Sequence, residues 1–167
     1  MKRQTKRMDV RQALVGALLV LLPGMARGDA GAAVRELARE ADVVMLGECV
    51  HEEAQWSADG RVIVTRATLR AKRLMKGTAG DEVVVQVLGG TVGDVSMGAS
   101  HGATIAPGEE AVFFLRRSSR GSYHVVHGGN AGKLALEPQK RGRVRTASGA
   151  TLSLEEIAAA VEAEARR

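Results

Sequence analysis

A hydroxyl nucleophile, a histidine base and a carboxylate to orient it are the residue types of acyl-transfer chemistry, and they fall close together at Asp94, Ser96, Ser100 and His101. All of them lie in the segment 88–110, which also carries six glycines, at 89, 90, 93, 98, 102 and 108. A triad needs its members held in register, whereas polar residues drawn from one glycine-rich connection read as turn formers. The segment lacks the Gly-Lys-Ser/Thr ending of a phosphate-binding loop, and Gly89-Gly90-x-x-Gly93 is not followed by the helix that a dinucleotide site requires. No catalytic residue is therefore assigned. The alternative reading is a hydrolase or metal-dependent enzyme centred on His101, with Asp94 or His124 beside it.

The other side chains with metal-binding chemistry are His51, His124, His127 and Cys49. His124 and His127 are three apart, a spacing that on a strand sends them to opposite faces. A structural metal site generally takes four ligands, so neither a metal nor a cofactor is expected. Cys49 is the sole cysteine, which precludes an intramolecular disulfide and reads as a small buried hydrophobe on a strand. Trp56 and Tyr123 are the only Trp and Tyr, a poor supply for the aromatic platform on which bases stack. No nucleic-acid partner is expected.

The elements that must position these residues are mainly β. Residues 32–40 place Val34, Leu37, Ala38 and Ala41 at helical spacing, predicting a short amphipathic helix. A first strand over 43–52 follows, with Gly47 as a candidate bulge, and Asp59-Gly60 supplies turn chemistry. Over 63–72 the series Ile63, Thr65, Ala67, Leu69 alternates with Val64, Arg66, Thr68, Arg70, giving a second strand with one buried and one solvated face. The third strand spans 82–88, with Val83, Val85 and Val87 inward. Beyond the glycine-rich segment, read as one long loop, the run 111–115 holds both phenylalanines and predicts a strand buried on both faces. A fifth strand is expected over 123–127, a short sixth over 133–137 and a further small hairpin near 140–145. Ser153 and Glu156 have capping-box spacing, opening a C-terminal helix whose stripe is Leu154, Ile157, Ala158 and Val161, with an exposed Ala/Glu/Arg tail behind it.

Residues 1–28 have the anatomy of a secretory signal peptide: Lys2, Arg3, Lys6, Arg7 and Arg11, the apolar run 13–22, Pro23-Gly24, then Ala26-x-Gly28 as the cleavage site. Cleavage near Gly28 would deliver a secreted or periplasmic chain starting at Asp29. The run is shorter than the roughly 20 residues a membrane span needs, so no membrane association is expected after cleavage. The whole chain has a formal net charge of +5, but the leader holds six of its 24 Lys/Arg and one of its 19 Asp/Glu. The remainder carries no formal net charge, which argues against a polyanion binder. The domain order is thus leader 1–28, β-barrel domain 29–152 and C-terminal helix 153–167, packed on the barrel or trailing from it.

Sequential strands without helical crossovers predict a small five- to six-stranded antiparallel barrel of the OB-like kind, which removes sheet edges. Ala41-Asp-Val-Val44, the long charged-faced strand ending in Leu74-Met-Lys-Gly77, Pro107-Gly-Glu-Glu110 and a later Gly-Lys resemble the netrin-like module of the tissue inhibitors of metalloproteinases. They are more similar still to uncharacterised secreted bacterial proteins with the same punctuation. The resemblance covers about residues 41–136 and implies an OB-fold barrel and a protein-binding role. The inhibitors bind zinc through a mature N-terminal cysteine, which a chain starting at Asp29 lacks, so the inhibitory chemistry does not transfer. The expected function is an exported, monomeric, non-enzymatic binding domain, with a protein partner met through the 89–107 loop and the 55–60 turn. Its candidate residues are Trp56, Gly89, Gly90, Gly93, Asp94, Met97 and His101.

Overall fold

A computed structural model describes residues 25–98, 102–137, 139 and 142–166. Residues 1–24 of the expected leader 1–28, Ser100, His101 and the C-terminal residue lie outside them, whereas residues 25–28 of that leader open the first helix. Helix α1 (Met25–Glu40) leads into β1 (Val43–Trp56), β2 (Ile63–Lys76) and β3 (Glu82–Leu88); β4 (Gly90–Val92) and β5 (Val95–Met97) form a separate small hairpin. Strands β6 (Glu110–Arg117), β7 (Tyr123–Val125) and β8 (Lys133–Ala135) complete the main sheet. A second small hairpin, β9 (Arg143–Arg145) with β10 (Thr151–Ser153), precedes α2 (Leu154–Ala165).

The main sheet runs β1-β2-β3-β7-β6 and closes on itself through β1–β6, with β8 added along β6. This is the small OB-like barrel that the strand pattern predicts. One correction applies to its strand directions, since closure between β3 and β7 is parallel and consists of the single pair Val85↔Tyr123. The other ladders are antiparallel.

Strand β1 must serve two neighbours, β6 with its first half and β2 along its whole length, so it has to bend. Gly47 lies at one of its register shifts, as anticipated. A Cβ there would sit 3.1 Å from the Met45 side chain and 3.3 Å from the Arg70 carbonyl, which explains why the smallest residue occupies the bend.

Burial on both faces of β6 gives the barrel two cores. Ala111, Phe113 and Leu115 point into the barrel with Val43, Met45, Leu69, Val85 and Val125. Val112 and Phe114 point outward, under Val34, Leu37 and Ala38 of α1 and Ile157 and Val161 of α2. The C-terminal carbonyls of α1 are satisfied by Lys76 Nζ, which donates to the oxygens of Ala38 (2.6 Å) and Ala41 (2.7 Å); a cation there also suits the helix dipole. Helix α2 opens with the full capping box, Glu156 N donating to Ser153 Oγ and Ser153 N to the Glu156 carboxylate. It is packed rather than trailing: the expected tail is helical to Ala165, Ala160 and Val161 are buried, and Glu164 accepts from Arg39 of α1 at 2.8 Å.

Candidate functional site

The glycine-rich connection is not one loop but two differently built halves. In the first, Gly90 adopts φ +134° and Gly93 φ +58°. Gly93 and Asp94 form the two-residue turn between β4 and β5, with Gly in the first central place, as tight hairpin turns of the II′ kind require. Thr91 and Ser96 face each other across the hairpin at 2.9 Å between hydroxyls. Its root is fixed to the outer ends of β1 and β2: Thr65 Oγ1 donates to the Gly89 carbonyl at 2.7 Å, and Ile63 N lies 3.4 Å from Met97 Sδ. Gly90 rests so closely on Ala54, Ile63 and Thr65 that any side chain would collide. Sequence reading missed this hairpin because each strand has only three residues, too few for alternation to register.

The second half is structural. Ala103 and Ile105 alternate into the barrel core, while Ala103 N donates to the Gly128 carbonyl at 3.2 Å and Thr104 N to Asn130 Oδ1 at 3.2 Å. Pro107-Gly108, with φ +80° at the glycine, makes the turn into β6. It delivers Gly108 N to the Cys49 carbonyl (2.7 Å) and the Glu109 carbonyl to Cys49 N (2.9 Å). The Glu109 carboxylate lies 2.6 Å from Lys133 Nζ, which is largely buried and also donates to the Thr104 carbonyl.

Of the sequence-predicted site residues, Trp56, Gly89, Gly90, Gly93, Asp94 and Met97 are therefore gathered at one end of the barrel. Gly89, Gly90 and Met97 root the hairpin, while Gly93 and Asp94 form its exposed turn. Trp56, at the end of β1, remains 41% exposed and Val95 of the hairpin 48% exposed. His101, on which the enzyme alternative is centred, lies outside the described residues, as does Ser100.

Sequence reading also missed a groove at the barrel seam. Beyond the pair Val85↔Tyr123, β3 and β7 diverge and leave a cavity of about 610 Å³. Val64, Val87, Leu88, Val125 and Val126 make it apolar, and Gly98 and Gly102 border it. Its polar lining is Gln86, Arg116, His124 and His127. The expectation that His124 and His127 face opposite sides is corrected here. Strand β7 ends at Val125 and His127 takes φ +60°, which breaks the two-residue alternation and brings both rings to one groove.

His124 Nδ1 lies 3.2 Å from the Gln86 carbonyl; a carbonyl only accepts, so this nitrogen carries the proton. Arg116 Nη2 donates to the Glu40 carboxylate at 3.1 Å, and the other Glu40 oxygen lies 3.6 Å from His127 Nε2. Among the described residues no three His, Cys, Asp or Glu side chains gather as metal ligands. Cys49 is fully buried and its thiol pKa is raised, chiefly by desolvation, which lowers the thiolate fraction that a nucleophile needs. The signal that could have exposed the groove is Val126-His127-Gly128-Gly129, where a β pattern stops short of its expected end. Compared with models of known protein families and with curated proteins, the chain matches none.

Proposed function

We propose that the chain is an exported, non-enzymatic binding domain that meets a protein partner through the β4–β5 hairpin and the adjoining end of the β1–β2 ribbon. The observation that carries this reading is the anchored hairpin. Gly90 leaves no room between it and the barrel, while Val95 and Trp56 stand exposed at the same end. Apolar groups displayed on a fixed support lose little entropy on docking, and Trp is among the residues that dominate interfaces. The netrin-like resemblance points in the same direction, and export rests on the leader-like segment 1–28. The 55–60 turn adds a supporting frame: Ser57 Oγ donates to Asp59 Oδ1 at 2.6 Å, and Gly60 takes φ +67°.

The test is affinity capture with residues 29–167 from the secreted fraction of the source organism, beside a Trp56→Ala, Val95→Asp double variant. The expected result is a partner retained by the parent chain and lost by the variant at unchanged melting temperature. Recovery of no partner, or of one that the variant retains equally, would count against the reading.

A further inference from the structure

We propose that the seam groove between β3 and β7 is a separate binding site for a small amphipathic carboxylate, an apolar chain ending in one carboxylate group. The size suits such a molecule, because small-ligand sites span roughly 300–1,000 Å³ and combine apolar walls with a few placed polar groups. At about 610 Å³ the groove fits one short chain. Val64 and Leu88, cross-strand partners in the β2–β3 ladder, form one apolar wall, and Leu88 is 60% exposed at the groove's mouth.

The sign of the head group follows from charge complementarity. The ionisable residues lining the groove are Arg116, His124 and His127, and the one acid that the described structure pairs with them is Glu40. Arg116 and His124 are cross-strand partners in the β6–β7 ladder, so their side chains leave the sheet side by side. The site already holds one carboxylate of the protein itself: Glu40, reaching over from the end of α1, is held by Arg116 and approached by His127. Glu40 thus displays the recognition that a ligand carboxylate would repeat. It does not exhaust the donors, since Arg116 spends Nε and Nη2 on Glu40 and its Nη1 has no hydrogen-bond partner among the described residues. Arg116 Nη1 can give a ligand carboxylate a single charge-assisted hydrogen bond. With Nδ1 serving Gln86, Nε2 of the neutral His124 ring is an acceptor, and it becomes a donor to a carboxylate only when the ring takes up a second proton. The site uses none of the residues assigned to the protein partner, so either reading can fail alone.

The experiment titrates residues 29–167 with decanoate, followed by amide and imidazole NMR shifts, with decyltrimethylammonium as the opposite-charge control on the same chain. Decanoate is expected to shift the His124 and His127 rings and the amides of 86–88 and 125–128, and the cation is not. Leu88→Glu, a change at an exposed position, is expected to weaken decanoate at least about tenfold by placing a like charge in a partly desolvated groove. Arg116→Met is expected to do the same; if its melting temperature shows that α1 has loosened, His124→Gln replaces it as the head-group variant. Absence of groove shifts with decanoate, equal binding of the two amphiphiles, or full affinity in Leu88→Glu would overturn the proposal.

Discussion

Residues 89–98 and 102–109 belong to one connection and share its glycine-rich composition, yet they are held by different physics. The second half is part of the barrel: Ile105 and Ala103 fill its interior, and Glu109 and Lys133 form a mostly buried ion pair. The first half touches the barrel at its root and carries its own two-stranded ladder outward. Glycine serves both, in one case to let a backbone lie flat on Ala54 and Thr65, in the other to turn the chain at Pro107-Gly108. Composition therefore marks where the chain changes direction without saying whether the result is core or display. The difference lies in apolar alternation, which Ala103 and Ile105 have and which the hairpin's Val92 and Val95, facing each other across a turn, do not offer the core.

The contrast is broken most directly at Ile105. Truncating a buried isoleucine removes transfer energy and leaves a cavity, so Ile105→Ala is expected to cost about 2–5 kcal/mol. Because the side chain sits among Val83, Val85 and Phe113 in the same interior, the loss should be global, seen as a lower urea midpoint and faster exchange of barrel amides. Exchange confined to 102–109 would mean that the second half is as separable as the first.

How far this was legible beforehand follows from the range of the signals. The third strand at 82–88, the capping box at Ser153, the bend at Gly47 and the doubly buried run around Phe113 were all readable, because each is written in neighbouring residues whose local and tertiary demands agree. The β4–β5 hairpin was not, since strands this short carry no period. Nor was the seam groove, which exists because β7 pairs with β3 at one residue and then turns away. No local pattern in Tyr123 to His127 states how far a partner 38 residues earlier, such as Gln86 for His124, will follow it. Long-range pairing decides that, and the two histidines were accordingly assigned to opposite faces.

A second, smaller perturbation sharpens the comparison from the other side. Gly90→Ala imposes φ +134° on a residue with a Cβ, which would lie 2.5 Å from Thr65 Oγ1 and 2.9 Å from Ala54 Cβ. Forced, sparsely populated backbone costs of order 1–3 kcal/mol, and here the hairpin can relieve it by lifting from its root. The expected outcome is loss of exchange protection across 90–97 with barrel amides nearly unchanged, and weakened partner capture in step with it. A cooperative drop of the whole domain would show that the hairpin is folded into the barrel's own unit of stability.

The smallest effect expected is at the contact between the two parts. Thr65 is buried on β2, its Oγ1 donating to the Gly89 carbonyl at 2.7 Å just before the chain enters β4. Thr65→Val keeps the branched shape and the strand preference while removing the donor, leaving the carbonyl without this partner at a cost of about 1 kcal/mol. If that bond serves mainly to orient the hairpin, the urea midpoint should move little while protection at Thr91 and Ser96 falls. If it serves the barrel, the shift should appear equally at Ala67 and Val85, which sit on the same sheet beyond it. The position of the loss, more than its size, decides whether the hairpin is a display element mounted on the barrel or a continuation of its wall.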